Sequence, residues 1–469
     1  MENNGNTIHF EIERPLTDEE KKAVLIVETL QDAGFEAYFA GGSVRDELLG
    51  LKAHDIDIAT SAKPEEVGKL FSKSYDRGKE FGVVAILMDE DEFEVTTFRE
   101  DVGISDHRRP SFVKFSSAEI DASRRDFTIN GLFYDPIKKE IIDFVDGIRD
   151  IKRKLIRFIG KPEERIAEDY LRILRAVRFA CRLDFKIEED SELAIQRNAS
   201  KIKEISSERI RDEFTKILLC QNRTDAICEM QRLGLIQEIL PELMDAKNVP
   251  QPPEFHAEGD VLTHILLALK NIDKPYDELV WAVLLHDICK PETIGFRSKV
   301  GKTSITFFDH DVRSAEKAKE ILERFKFSHH FINAVTWAIS QHMRIVGAFR
   351  GMSERKQKKL FCDPNINLLL DLTEADLSAS LRPNGKPEMD MYEDAVKLKE
   401  KFERESSEEE KQQLQNFDLI TGDDIIETLK IEPSPEVGRI KTEIEKEYFE
   451  GKINTREEAL KLIEKFRNN

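Results

Sequence analysis

Residues 41–60, GGSVRDELLGLKAHDIDIAT, constrain this chain more than any other stretch. An apolar run, Phe35 to Ala40, leads into Gly41 and Gly42. Val44, Leu48 and Leu49 follow at helical spacing. Asp55-Ile56-Asp57-Ile58 then alternates like a strand, with the carboxylates on one face and the isoleucines on the other. The order is strand, glycine turn, helix, strand. A glycine turn at a helix N-terminus offers free N–H groups to a phosphate. Two carboxylates pointing the same way suit a divalent metal. Together they indicate nucleotide chemistry. The alternative for Asp55 and Asp57 alone is a solvated strand face.

A chain of 469 residues is too long for one core, so three or four units are expected. No apolar run reaches membrane-spanning length, and no N-terminal signal pattern is present, so no membrane partner is expected. Residues 1–7 are polar and read as frayed. Cys181, Cys220, Cys228, Cys289 and Cys362 are scattered, odd in number and without zinc spacing, which fits a reducing cytoplasm. The net charge of −20 argues against nucleic acid only if charge is evenly spread. It is not: residues 149–182 carry eleven Lys or Arg against five Asp or Glu.

In chain order, residues 17–33 read as a helix, and Pro64 opens another that runs to about Phe71. Gly82–Met88 and Phe93–Phe98 read as strands joined by an acidic turn. Glu94 lies on the second, alternating with Val95, and from the residues alone reads as an exposed strand glutamate. Residues 99–113 lack periodicity and read as a loop. Arg124-Arg125-Asp126 in RRDFTIN offers phosphate or sugar contacts. Phe133–Asp135 and Glu140–Phe144 read as a closing hairpin. Beyond Asp150 the pattern turns helical. Arg172, Arg175, Arg178 and Arg182 form one stripe, opposite Ile173, Leu174, Val177 and Cys181. Asp169 and Arg172, three apart, are expected on one helix face. The alternative for the stripe is a solvated helix face.

Three motifs carry a resemblance: GGxVRDxLLGxxxxDxDxxT, RRDFTIN and EDxxRxLRAxRFA. In this order they resemble the class II tRNA nucleotidyltransferases and bacterial poly(A) polymerases, of the DNA polymerase beta-like superfamily. The resemblance implies Mg²⁺ on Asp55 and Asp57, with Glu94 as the third carboxylate. It implies nucleotide contacts from Gly41, Gly42, Arg45, Arg124, Arg125, Asp126, Asn130, Asp169, Arg172, Arg175 and Arg178. Asp126 would meet the ribose, the paired arginines the triphosphate, and Asp169 with Arg172 the base. Residues 99–113 resemble the loop that helps class II enzymes switch from C to A addition. Where the family usually has alanine after RRDFTIN, this chain has Gly131.

Pro250, Pro252 and Pro253 mark a boundary. His264, the His286-Asp287 pair within the apolar helix WAVLLHDICK, and Asp376 follow. A buried His-Asp pair is costly unless paired or metal-bound. The set resembles an HD phosphohydrolase domain, which implies a metal on His264, His286, Asp287 and Asp376. Mixed N/O ligands suit a transition metal. His310 and His342 could add a second ion. The alternative is an HD fold kept for packing. Residues 397–415 read as a long exposed helix, and the tail from Leu419 loosely resembles the segment that approaches the tRNA elbow in bacterial relatives.

The expected fold is α+β: a polymerase beta-like head with a mixed sheet, then an all-helical neck and body, an HD domain and a helical tail. The expected boundaries are 1–148, 149–250, 251–382 and 383–469. The implied activity is template-independent addition of CMP and AMP, from CTP and ATP, to the tRNA 3′ end. tRNA would be held at its acceptor arm and elbow. Rivals are a poly(A) polymerase, a CC-only or A-only enzyme, an HD hydrolase with a silent transferase unit, and a transferase acting on a small molecule. Oligomeric state is not readable.

Overall fold

Gly41 enters its turn at φ +72°, a left-handed conformation open to glycine, and ends the strand that leads into the first signature. The computed structural model describes residues 7–52, 55–78, 81–104, 110–299, 302–405, 419–450 and 452–466. They fall into two compact units, residues 1–240 and 241–469. No helix among the described residues is long and apolar enough to cross a membrane.

The first unit opens with β1 (Thr7–His9), so the frayed reading fails at Thr7, while residues 1–6 lie outside the described ones. Helix α1 (Asp18–Asp32) starts at a Thr17–Glu20 capping box and buries Ala23, Ile26, Val27 and Leu30. Then come β2 (Ala37–Ala40), α2 (Gly42–Leu48), β3 (Asp57–Thr60) and α3 (Pro64–Leu70). Strands β4 (Ser74–Gly78), β5 (Val83–Met88) and β6 (Asp91–Thr97) follow. After β7 (Arg99–Ile104), β8 (Pro110–Phe115) and α4 (Ala118–Ser123), the hairpin β9 (Leu132–Asp135) and β10 (Glu140–Asp143) closes the head. One sheet runs β1-β10-β9-β2-β3-β6-β5-β4. Its β3–β6 pairing is parallel and the rest antiparallel, so the mixed sheet is observed. Tyr38, Phe98 and Phe133 pack with Ala118 and Ala122 on one face.

Helices α5 (Gly147–Arg153), α6 (Pro162–Glu168), α7 (Arg172–Leu183), α8 (Glu189–Asn198), α9 (Ser207–Leu219) and α10 (Arg223–Arg232) complete this unit. Ile173, Leu174, Val177 and Cys181 of α7 are buried as the stripe required.

Four local expectations are corrected. Residues 99–113 are not an open loop: β7 and β8 pair antiparallel from Arg99↔Phe115 to Ile104↔Pro110. The ribbon is a separate two-stranded sheet and leaves Phe112 exposed, so no buried face imposes an apolar alternation. Residues 105–109 of that stretch lie outside the described ones. The helical region contains a short parallel strand pair, Leu155–Ile156 with Lys186–Ile187. Asp55 and Ile56 precede β3 instead of belonging to it. Asp169 is extended at φ −153°, ψ 105°, in the link between α6 and α7, and so does not share a helix face with Arg172.

In the second unit, helices Val261–Lys270, Asp277–Leu285, His329–Met343 and Ile366–Ala379 pack together. The Asp277 helix ends at Leu285, so His286 and Asp287 follow its last turn instead of lying within it. An antiparallel hairpin, Ile294–Lys299 with Lys302–Phe307, interrupts the helices. Helix Asp390–Glu405 buries Ala395 and Phe402, so it is not wholly exposed; the expected continuation over 406–415 lies outside the described residues. In the tail, helices Gly422–Leu429, Pro435–Phe449 and Arg456–Lys465 enclose Ile425, Ile440, Ile444 and Ile463.

Candidate active site

The pocket of the first unit is an arginine-lined cavity of about 730 Å³. It brings together Gly41, Gly42, Arg45, Asp55, Asp57, Arg124, Arg125, Asp126, Asn130, Asp169, Arg172, Arg175 and Arg178. These come from the turn after β2, α2, the approach to β3 and its first residue, the RRDFTIN turn, the α6–α7 link and α7. Glu94 does not line it. It stands on β6 beside the strand of Asp57 and pairs with Arg77 at 2.9 Å. Nine arginines line the cavity, including Arg99, Arg182 and Arg209, against four aspartates.

Asp55 and Asp57 are open to solvent. The protein mass around Asp57 raises its pKa, Arg125 opposes this, and Glu94 and Asp55 reinforce it. Three carboxylates thus crowd one spot, an arrangement that a divalent cation relieves. A Cβ at Gly41 would come within 2.7 Å of Arg125 Nη1, the far end of a flexible side chain that can give way, so it is φ that asks for glycine here.

Asp126 is buried and accepts from Arg175 Nε and Nη2 at 2.8 and 2.6 Å and from Asn130 Nδ2 at 2.9 Å. Burial alone would raise its pKa, but Arg175 and Asn130 outweigh that and hold it at about 2. Arg124 and Arg125 are both anchored by Asp121. Asp169 accepts from the Leu171 N–H at 3.0 Å and from Arg209 Nη2 at 2.7 Å. Arg172 donates to Glu168, Arg165 O and Arg124 O. The link conformation thus places Asp169 in the cavity with Arg172, although helical spacing does not. Arg209, on α9 and 40 residues from Asp169, has no signal in sequence spacing.

In the second unit, the expected His and Asp residues converge beside a cavity of about 380 Å³. Ligand atoms of His264, His286 and Asp287 lie within 4.8 Å of one another, as do those of Asp287, His310 and His342. Asp376 lies 3.0 Å from His264 Nε2 and 3.9 Å from His286 Nε2. His286, His310 and His342 each donate Nδ1–H to a carbonyl, of Val283, Phe307 and Ile339. A carbonyl only accepts, so in the neutral ring Nε2 is the nitrogen that carries the lone pair, and it is turned inward. His286 Nε2 and both Asp287 oxygens make no hydrogen bond, although all are buried. Lys290 Nζ lies 2.6 Å from Asp287 Oδ2. Burial, with His310 and His286 nearby, lowers His342 to about 4. This donor set fits a nitrogen–oxygen metal site.

Family models match three consecutive stretches: a poly A polymerase head domain over 37–157, a probable RNA and SrmB-binding site of polymerase A over 184–247, and an HD domain over 261–380. A CCA-adding enzyme of Lactiplantibacillus plantarum is 40% identical over 296 residues, 62% of this chain and 69% of that protein. This chain belongs to the CCA-adding enzyme family. The chain spans about half the length of other curated relatives it matches: a CCA-adding enzyme of Ligilactobacillus salivarius is 50% identical over 215 residues, 46% of this chain and 53% of that one. The crystal structure of the Bacillus stearothermophilus CCA-adding enzyme in complex with CTP superposes with a TM-score of 0.65, at 25% identity, over 97% of this chain and 99% of that one. The mixed-sheet head and helical remainder are therefore a CCA-adding enzyme fold.

Proposed function

We propose that this chain is a template-independent tRNA nucleotidyltransferase that adds CMP and AMP at the tRNA 3′ end, with CTP and ATP as donors. One observation carries the reading: paired carboxylates, a glycine turn and an arginine-rich helix face share a single cavity. Family membership supports it. The four-part division at 148, 250 and 382 is proposed with it.

Asp55 and Asp57, with Glu94 behind them, would hold Mg²⁺. Two such ions, when bound, lower the pKa of an attacking hydroxyl and neutralise the triphosphate. Gly42 presents its backbone N–H to the phosphates, while Gly41, whose own N–H donates to Leu132 O at 3.0 Å, turns the chain towards them. Arg124 and Arg125, fixed by Asp121, add charge-assisted donors. Asp126, ionised through Arg175, accepts from a ribose hydroxyl. Asp169 accepts from an exocyclic amine and Arg172 donates to an unprotonated ring nitrogen, a pair common to cytosine and adenine but reversed in guanine and uracil. The helical remainder would hold the tRNA acceptor arm by shape and phosphate contacts, with the tail towards the elbow.

The imidazoles that converge on Asp287, with no hydrogen bond at His286 Nε2, favour a second reading beside the first: a transition metal on His264, His286, Asp287 and Asp376, serving phosphoester hydrolysis. The decisive experiment supplies tRNA lacking its 3′ end and each labelled NTP singly. Successive incorporation of C, C and A is expected. Long A tails, C alone or A alone would each replace full CCA addition by a named rival. No incorporation, with phosphoester hydrolysis present, would reverse the ranking.

A further inference from the structure

Arg45 and Asp46 lie in the signature helix α2, yet both are nearly inaccessible, at 2% and 4% exposure. Arg45 donates Nε and Nη2 to a single oxygen of Asp46, Oδ1, at 2.9 and 2.7 Å. Its remaining nitrogen donates to Asn130 Oδ1. A local ion pair needs no more of Asp46 than this. The other oxygen, Oδ2, instead accepts from Arg182 Nη2 on α7 at 3.0 Å.

The contacts close into a ring. It runs Arg182–Asp46–Arg45–Asn130–Asp126–Arg175 and returns through α7. Arg175 and Arg182 are seven residues apart, about 10 Å along the helix axis. Arg172, on Arg124 O, and Arg175, on Asp126, hold the first half of α7 to the head, and Arg182 adds a tie at its last turn. Phe179, between them, lies under the guanidiniums of Arg45, Arg175 and Arg178, with ring centroids 5.0, 5.4 and 4.4 Å away.

We propose that Asp46 and Arg182 are positioning residues: a strut that fixes the distance between the triphosphate turn at Gly41–Gly42 and the base-reading end of α7. A nucleotide is then gripped at both ends only if its base fits. The strut rests on the reading of Asp169 and Arg172 as the base-reading pair. Arg45 acts here as a brace, with its nitrogens used inside the ring. Without the Arg182 tie, the triphosphate still docks and the base is read from a helix whose last turn is no longer bound to the head.

The test is equilibrium binding of CTP and of UTP to the full chain, with Mg²⁺ and without tRNA, for wild type, R182M, D46N, the double variant and R182K. A charge-assisted hydrogen bond contributes enough for roughly tenfold in affinity. The CTP-over-UTP preference should fall about tenfold in R182M and D46N, through weaker CTP binding with UTP unchanged. The double variant should be no worse than either single, and R182K should keep most of the preference. Equal weakening of both nucleotides, additive losses, a lower Tm with preference intact, or a wild type without preference would each overturn the strut. Incorporation into tRNA is read separately. A wild type that prefers CTP but extends no tRNA removes the transferase reading, and the binding ratios still decide the strut.

Discussion

At Asp57 stability and function pull apart. The protein around its carboxylate raises its pKa, Arg125 opposes this, and Glu94 and Asp55 add to the rise. Asp57→Asn keeps the shape and removes a repelling charge. In EDTA the variant should melt no lower than wild type, whereas the rise in Tm on adding Mg²⁺ and the transfer of CMP and AMP should both largely vanish; calorimetry and the tRNA assay read the two effects. Gly131 is set by space. A Cβ there would stand 2.6 Å from Val145 Cγ2 and 3.2 Å from Ile159 Cδ1. Gly131→Ala should cost about 1–3 kcal/mol by overpacking, and less in a Val145→Ala background, as urea titration would show. Asp126 sets an acid limit. Its folded pKa of about 2 lies below the unfolded value. Its contribution is therefore present above about pH 4 and is lost as pH falls towards 2. It amounts to roughly 2 kcal/mol, and Asp126→Asn should flatten that part of the pH–stability curve.

At the scale of elements, periodicity found what is buried on one face. α1, α7 and the β9–β10 hairpin were readable because a core lies against them. The β7–β8 ribbon and the Ile294–Phe307 hairpin were not, because each pairs only with itself and no second layer filters its residues. The arginine stripe was legible at helical spacing. The motif resemblance puts Asp169 at the nucleotide; helical spacing does not bring it there, and an extended link does. Arg209 was illegible because it meets Asp169 only through packing of α9. The histidine cluster was legible as residue types, but its tuning was not, since the carbonyls that turn each ring belong to helix ends and the hairpin. Asp287 is common to both ligand groups. Asp287→Ala should therefore abolish uptake of a transition metal such as Mn²⁺ at the histidine cluster, measured by elemental analysis after loading against a Mg²⁺ background, together with any phosphoester hydrolysis, while CCA addition persists. Undiminished metal content would remove Asp287 from the ligand set.

Over the whole molecule, a net charge of −20 coexists with a cavity of nine arginines and four aspartates. Within this overall acidic excess, nine guanidiniums gathered on one concave surface raise the local field that draws an anion. The cavity's described cations are all guanidiniums; no lysine lines it. Guanidiniums keep their charge at any pH a cell reaches and accept no acetyl group. The pocket is therefore deaf to the acylating signals that silence lysine-based phosphate sites. Acetic anhydride at neutral pH should leave CTP binding by the full chain close to that of the untreated protein. Phenylglyoxal should abolish it, and CTP with Mg²⁺ should protect. If acylation alone emptied the pocket, a lysine outside the described lining would have to be holding the nucleotide.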